Sequence, residues 1–234
     1  MDFLQTHFHS YFIVIEADNQ MRVSEISNIK NLDYIYVYDN DPIFHRTKYI
    51  NQMLSMTNTP YAAIWDTDAI TYPKQIQSAY NLLDKGNYTM VYPFSGLFYN
   101  MNEYISTFFS KTFNFEALDS PFLSKRLMNG YYSVGGAYMV NVKLYKEFGG
   151  ENEYFYGWGP EDAERYSRME ILGQSIRRID GPLFHLFHTR GKNSRYANNE
   201  IELANKKEFC KVCSMTTEEL KMYIRSWSWI EKIN

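Results

Sequence analysis

Apolar and polar positions in the first half of the chain follow two alternating periods, which predict strands and helices in turn. Short runs rich in β-branched and aromatic residues predict strands at residues 11–15, 34–38 and 61–65. Apolar positions at helical spacing predict a helix at 46–56, and a second helix at 73–83 begins at a proline. Strands that alternate with helices predict an α/β fold, with a parallel or mixed sheet covered by helices.

The second half of the chain shows fewer regular patterns. Residues 160–172 predict a helix with proline first, acids in its first turn, and Glu161/Arg165 and Glu164/Arg168 pairs. A capping box at 216–219 predicts a C-terminal helix with an apolar stripe formed by Tyr223, Trp227 and Ile230. We expect this stripe to pack on the core. Residues 95–130 show no clean period, so they predict an excursion or lid over the site.

Composition excludes several classes of protein. The length of 234 residues suits a single domain, and the net charge of -3 with scattered Lys and Arg argues against nucleic-acid binding. The chain shows neither a signal peptide nor a run of about 20 apolar residues, so we expect a cytoplasmic protein with at most peripheral contact with the inner membrane. Cys210 and Cys213 are too few for a four-ligand zinc site and predict reduced thiols on a helix.

Acidic residues follow two of the predicted strands. Ligands of open α/β sheets bind beyond the carboxyl ends of the strands, so Asp39 and Asp66 are candidate site residues. Asp66 and Asp68 occupy alternate positions, where one carboxylate can coordinate a metal while the other binds a ribose or sugar. Asp39 and Asp41 have the same spacing, and either pair taken alone is better explained as solvated loop acids.

Two histidines lie three residues apart among apolar neighbours. On a turn, this spacing can direct the rings of His185 and His188 to one ion, although core or loop histidines remain an alternative. Imidazole combined with carboxylate suits Mn²⁺ or Zn²⁺, and a diphosphate in the coordination shell would favour Mn²⁺ or Mg²⁺.

A tryptophan between two glycines precedes two adjacent acids. Acids in a first helical turn stabilise the helix dipole, so Glu161 and Asp162 need no functional explanation by themselves. That explanation does not account for Trp158 in a tight turn. An aromatic face beside two carboxylates is typical of a sugar subsite, in which the ring stacks on the sugar and the acids bind its hydroxyls.

Several segments, in the same order, resemble signature motifs of the β-1,4-galactosyltransferases and of related galactosyltransferase-like domains of bacterial glycosyltransferases. The glycine pair at 135–136 and residues 148–162 resemble the family's G-G and F-x-x-x-x-G-W-G-G-E-D motifs. Residues 44–51 resemble its F-N-R-A-K-L-L-N segment. Residues 66–68 stand where the family has its D-x-D, and residues 188–190 where it has a metal-binding His followed by S-R. The common order is far more specific than any single motif.

The resemblance implies a GT-A glycosyltransferase fold, in which a mixed, mostly parallel central sheet is flanked by helices. It implies one domain over residues 1–234, with a nucleotide-binding part at about 1–94, an acceptor-binding and catalytic part at about 95–195, and a C-terminal helical segment at about 196–234. It also implies Mn²⁺, with Mg²⁺ as the alternative, and a UDP-sugar donor. The acceptor would be a saccharide or glycolipid; no oligomeric state is predicted.

The resemblance further implies roles for particular residues. The expected metal ligands are Asp68, His188 and His185, with Asp66 close to the donor or the metal. The expected donor and nucleotide contacts are Phe44, Arg46, Asp39, Asp66, Gly135 and Gly136. The expected acceptor site comprises Trp158, Glu161 and Asp162, with Asp162 as catalytic base beside Glu161.

The implied activity is inverting transfer of a hexose, with galactose favoured, in bacterial surface polysaccharide synthesis. Residues 16–20 lack the arginines of the corresponding family segment, and Pro160 replaces a family glycine. Three alternatives stay open: an N-acetylhexosaminyltransferase of the same fold, a non-catalytic nucleotide-sugar or glycan-binding module, and a nucleotide-sugar hydrolase.

Overall fold

A computed structural model describes residues 1–23, 29–86, 88–119, 126–128 and 130–233. In this part of the chain strands and helices alternate, which confirms the expected α/β class. The strands are β1 (Phe12–Asp18), β2 (Leu32–Tyr38), β3 (Tyr61–Trp65), β4 (Ala69–Ile70), β5 (Met90–Tyr92), β6 (Phe98–Asn100), β7 (Arg126–Leu127), β8 (Ala137–Asn141), β9 (Ile176–Arg178) and β10 (Leu183–His185). The helices are α1 (Asp2–His7), α2 (Arg46–Met56), α3 (Pro73–Lys85), α4 (Glu103–Thr112), α5 (Glu116–Asp119), α6 (Val142–Glu147), α7 (Glu161–Ile171), α8 (Asn199–Cys213), α9 (Thr217–Arg225) and α10 (Ile230–Ile233).

The strands form three mixed or parallel sheets. Strands β1 and β2 pair in parallel, and the other two sheets have the orders β3-β8-β5-β9 and β4-β10-β6-β7. Strand β8 runs antiparallel to both β3 and β5, whereas β9 runs parallel to β5. Strand β10 runs parallel to β6 and antiparallel to β4. The mixed character is as expected, but antiparallel pairs outnumber parallel ones in the described chain, contrary to the mostly parallel central sheet that the resemblance implied.

Most of the predicted elements are present, with small shifts at their ends. Strand β3 and helix α2 have the predicted bounds, and α3 and α7 differ from prediction by one or two residues. The capping box of α9 is also present at Thr216 and Glu219. That helix ends at Arg225, however, so Trp227 and Ile230 lie beyond it. Their expected packing is nonetheless confirmed, because Trp227 is buried in a core cluster that Ile230 contacts.

Residues 95–130 were expected to form an excursion or lid, but their described part packs into the fold. Its described residues include β6, which pairs with β10, and α4, in which Phe109 is buried. Asn102 caps α4 by accepting a hydrogen bond from the amide of Ile105. Residues 120–125 and 129 lie outside the described part of the chain. The described residues of this stretch therefore contribute to a sheet and to a core cluster.

The largest core cluster lies between β5, β8, α2 and α7, directly behind the candidate site. Tyr92, Tyr138 and Met169 are among its fully buried members. Cys210 and Cys213 lie in α8 as free, exposed cysteines, as expected. None of the helices in the described part of the chain combines the length and apolar character needed to cross a bilayer.

Candidate active site

One acidic and two imidazole side chains meet where β4 pairs with β10. In this antiparallel pair Ala69 lies opposite His185, and the next residue, Leu186, donates its amide to the carbonyl of Asp68 at 2.8 Å. The Oδ2 atom of Asp68 lies 3.5 Å from Nε2 of His185 and 3.1 Å from Nε2 of His188. The pairing of two short strands thus assembles residues separated by more than a hundred positions.

This triad is suited to hold a divalent cation. One ligand atom from each of Asp68, His185 and His188 lies within 4.8 Å of the others. Burial lowers the pKa of His185 below its ordinary value, so its ring is neutral at pH 7, as metal coordination requires. A carboxylate with two imidazoles is a donor set suited to Mn²⁺ or Zn²⁺. Asp66 is not part of this triad.

Asp66 instead belongs to a second cluster, centred on the half-buried guanidinium of Arg46. Arg46 donates from Nη2 to Oδ1 of Asp66 at 2.8 Å, and its Nη1 lies 3.5 Å from Oδ1 of Asp162 and 4.0 Å from Oε1 of Glu161. Burial raises the pKa of Asp66, and the charge of Arg46 opposes that rise. Arg46 therefore joins the acid after β3 to the two acids that begin α7. Its guanidinium is occupied by carboxylates, and the expected contact with the nucleotide stays a prediction.

The two adjacent acids differ in their environments. Glu161 is 7% exposed and its Oε2 has no hydrogen-bond partner in the described structure. Burial, together with the charge of Asp162, raises the pKa of Glu161 to about 8. At neutral pH Glu161 is therefore largely protonated and offers a hydroxyl donor to a ligand. The side chain of Asp162 is 30% exposed and bonded to Arg165.

The two glycines before β8 allow close approach on both sides. A Cβ atom on Gly135 would lie 2.5 Å from Oδ2 of Asp162, which shows that this carboxylate oxygen rests against the backbone. Gly136 has φ of +88° and accepts a hydrogen bond at its carbonyl from the amide of Asp66 at 2.9 Å. A side chain there would also collide with Phe98. Because neither glycine has a side chain, this loop can lie close to both Asp66 and Asp162.

The turn that carries Trp158, here called the tryptophan turn, is held by hydrogen bonds from a residue of α8. Asn205 is buried and donates from Nδ2 to the carbonyls of Tyr156 and Trp158, at 3.0 and 3.2 Å. The Trp158 ring packs edge-on against Tyr196, with 4.8 Å between centroids, and remains 46% exposed. The predicted sugar-stacking residue therefore presents part of its surface to solvent beside Glu161 and Asp162.

The expected nucleotide contacts lie at the end of β2 and the start of α2. Phe44 stacks on Tyr49 with 5.4 Å between centroids, and Tyr49 donates its hydroxyl to Asp39. This bond lowers the pKa of Asp39. Asp41 accepts instead from Tyr156. Asp39 is therefore engaged with a core tyrosine in this structure.

A single cleft of about 2090 Å³ contains nearly all the predicted site residues. The cleft is open to solvent and extends beyond the candidate site, as far as β1. Asp39 is the one predicted site residue that does not line it. The residues that do are Phe44, Arg46, Asp66, Asp68, Gly135, Gly136, Trp158, Glu161, Asp162, His185 and His188.

Sequence reasoning missed two buried residues behind the cleft. Arg165 pairs with Glu151 and Asp162, not with the predicted partner Glu161. Asn205 holds the tryptophan turn; it lies within the predicted C-terminal helical segment, but no role was predicted for this residue. The predicted Glu164/Arg168 pair is confirmed by an Oε1–Nε distance of 2.9 Å.

A protein family described as the N-terminal domain of galactosyltransferase matches residues 122–192. The matched segment is less than a third of the chain, and it includes the glycine pair, the tryptophan turn, both acids and both histidines. The resemblance to galactosyltransferases is thereby confirmed. The galactosyltransferase match does not extend to Phe44, Arg46, Asp66 or Asp68. No curated protein sequence matches the chain.

Two solved glycosyltransferase structures are similar to the chain at low identity. Glucosyl-3-phosphoglycerate synthase from Mycobacterium tuberculosis, in complex with Mn²⁺, UDP and phosphoglyceric acid, is 13% identical, with a TM-score of 0.45 over 79% of this chain and 62% of that one. This chain thus spans less than two thirds of that synthase. The catalytic domain of Drosophila β1,4-galactosyltransferase 7, in complex with xylobiose, is 15% identical, with a TM-score of 0.47 over 88% of this chain and 82% of that one.

Proposed function

We propose that this protein is a metal-dependent, inverting glycosyltransferase that moves a hexose from a UDP-sugar to a saccharide hydroxyl. The observation that carries the proposal is the common cleft, in which the Asp68–His185–His188 triad and the Asp162 carboxylate face one space. A cation-binding triad suits a donor diphosphate, and the partly exposed carboxylate of Asp162, near Trp158, suits an acceptor hydroxyl. The galactosyltransferase match over 122–192 supports the same activity.

In the proposed reaction Asp162 acts as the general base. The acceptor oxygen forms a bond to the anomeric carbon while its proton moves to Oδ2 of Asp162. The bond from that carbon to the UDP oxygen breaks, and its electron pair leaves with UDP. General-base catalysis of this kind contributes about 10²- to 10⁴-fold in rate. Protonated Glu161 would donate a hydrogen bond to the acceptor, which fits its raised pKa.

The donor set of the triad fits Mn²⁺, with Mg²⁺ as the alternative. Asp68, His185 and His188 would hold the ion, which would neutralise charge on the departing diphosphate when bound. Asp66, held by Arg46, would lie close to the donor. Phe44, Gly135 and Gly136 would contact the nucleotide and donor sugar, as the resemblance implies.

The finer parts of the proposal rest on the resemblance alone. Galactose is the favoured hexose, and the acceptor is a saccharide or glycolipid. The activity would belong to bacterial surface polysaccharide synthesis, in the cytoplasm and at most peripheral to the inner membrane. An N-acetylhexosaminyltransferase with the same metal site is the second candidate.

The deciding experiment measures UDP release across a panel of UDP-sugars and saccharide acceptors, with Mn²⁺ or with a chelator. We expect acceptor-dependent release that the chelator removes. Asp162→Asn should lower kcat at least about 10²-fold with little change in UDP affinity. The matched control is Asp84→Asn, an exposed acid of α3 that does not line the cleft.

Each other outcome identifies a different protein. Full activity of Asp162→Asn would contradict the assigned base. UDP release that needs no acceptor would indicate a hydrolase, and UDP-sugar binding without turnover would indicate a binding module. Preference for UDP-N-acetylhexosamines would favour the second candidate.

A further inference from the structure

A buried arginine connects the proposed base to the protein interior. Arg165 is fully buried and donates to both oxygens of Glu151, from Nε at 2.8 Å and from Nη2 at 3.0 Å. The same Nη2 also donates to Oδ1 of Asp162 at 2.8 Å. Its guanidinium stacks 4.0 Å from the centroid of Tyr138. One side chain therefore bridges a buried and a partly exposed carboxylate.

The buried carboxylate, that of Glu151, is held by several hydrogen bonds. Glu151 is 1% exposed and accepts further hydrogen bonds from the hydroxyls of Tyr138 and Tyr145. Burial alone would raise the pKa of Glu151, but the charge and hydrogen bonds of Arg165 lower it to about 2. Glu151 is thus ionised at neutral pH, and its charge fixes the guanidinium in place.

In the partly exposed carboxylate, that of Asp162, the two oxygens have different neighbours. Its Oδ1 accepts from Arg165 and lies 3.5 Å from Nη1 of Arg46. Its Oδ2 lies against Gly135, and no donor among the described residues is bonded to it. The carboxylate is therefore held by one oxygen and leaves the other available for a proton.

We propose that Arg165 is a positioning residue, which fixes the rotamer of Asp162 so that Oδ2 faces the acceptor hydroxyl. This inference rests on the proposed function, because it takes Asp162 as the base. Arg165 itself does not contact the reacting atoms in this arrangement. Its loss should therefore lower the rate of the transfer step while donor binding is retained.

Helix α7 provides a matched control three residues further along. Arg168 is also fully buried and also pairs with a buried glutamate, Glu164. Its other donors serve the carbonyls of Phe148 and Gly150, so it stabilises a turn without contacting Asp162. Arg165→Met and Arg168→Met thus remove equivalent buried charges, but only the first frees the proposed base.

The test compares kcat, KM for the donor and the free energy of unfolding for both variants, measured per folded molecule. We expect Arg165→Met to lower kcat by about 10- to 100-fold with donor KM nearly unchanged. Arg168→Met should lower stability without a comparable fall in kcat. Arg165→Lys should recover part of the rate, because it keeps the charge but not the forked geometry. If the methionine variants do not fold, Arg165→Lys is compared with Arg168→Lys.

A double variant shows whether Arg165 acts through Asp162. Adding Arg165→Met to Asp162→Asn should cause little further loss of kcat, since the residue it orients is already disabled. Equal falls in kcat for the two arginine variants, or fully additive losses, would overturn the inference and leave the proposed function intact. Normal turnover by Asp162→Asn alone would contradict the proposed function itself.

Discussion

Glu161 and Asp162 are neighbours in sequence but experience different solvation. Glu161 faces inward at the start of α7, whereas Asp162 is held at the cleft surface by Arg165. Burial favours the neutral form of a carboxyl, which accounts for the raised pKa of Glu161, whereas Asp162 is partly exposed. The pair therefore offers a hydrogen-bond donor and a proton acceptor at adjacent positions. This division of roles suits a site that both binds and deprotonates a hydroxyl.

The raised pKa of Glu161 predicts a loss of stability as the pH rises. Its folded pKa is about 8 and its ordinary value 4.5, so between these values the folded protein binds the extra proton. The free energy of unfolding should therefore fall with pH, by about 2 to 3 kcal/mol between pH 6 and 9. Glu161→Gln should remove most of this fall. Denaturant unfolding of metal-free protein at both pH values measures it.

The matched control for this prediction is Glu170→Gln, which changes an exposed glutamate of the same helix. Burial also raises the pKa values of Asp66 and Glu164, but both residues remain in every variant and cancel in the comparison. An equal fall in stability for wild type and Glu161→Gln would show that Glu161 ionises normally in the folded protein.

At the scale of elements, contacts between a loop and a helix define the site more than either one alone. The loop before β8 supplies the carbonyl of Gly136, which accepts a hydrogen bond from the amide of Asp66, and α7 supplies the acids Glu161 and Asp162. A Cβ at Gly135 would lie 2.5 Å from Oδ2 of Asp162, which is too close for a normal contact. The loop and α7 can therefore lie this close together only because Gly135 has no side chain.

Gly135→Ala should therefore move Asp162 and lower kcat by about tenfold or more, with a smaller effect on stability, because 1 Å displacements can cost about 10²-fold in rate. Steady-state kinetics and thermal unfolding of the variant measure both effects. Gly191→Ala is the control, since a Cβ there meets no atom within 4 Å. Unchanged kcat in Gly135→Ala would mean that Asp162 can move aside at no functional cost.

Elements with a strong local pattern were predictable from the sequence, and others were not. Strand β3 and helix α2 have clear periods and flanking signals, and their predicted bounds are correct. Helix α8 lies within the predicted C-terminal helical segment, but its bounds were not predicted, because with only Asn205 and Val212 buried it has no apolar stripe. Strand β6 has three residues and is stabilised by pairing with β10, which no local pattern indicates.

The same distinction applies to the site residues. Asp68, His185 and His188 were predictable as a cluster because their residue types and the family motif point to one ion. The partner of Arg165 was not, since Glu151 lies 14 positions earlier, after a turn at Gly149 and Gly150. The spacing of four residues on the helix favoured Glu161 as the partner of Arg165. In the folded chain Glu151 is buried beside Arg165 and pairs with it instead.

At the scale of the whole molecule, the triad joins distant parts of the chain. Asp68 follows β3, and His185 and His188 end and follow β10. Behind them, one core cluster combines α2, β5, β8 and α7, and it supports both acid clusters. An ion bound by the triad would therefore be bound by the folded chain and not by the unfolded one.

Metal binding should accordingly stabilise the whole fold. A ligand specific to the native state, at 100 times its Kd, raises the free energy of unfolding by about 2.7 kcal/mol. We expect Mn²⁺ to raise the Tm of the wild type and to have little effect on Asp68→Asn or His188→Ala. Asp41→Asn is the control, because Asp41 shares the spacing of Asp68 after a strand but contacts Tyr156 instead. Equal stabilisation of all four proteins would place the bound Mn²⁺ outside the triad, whatever the catalytic activity of the variants.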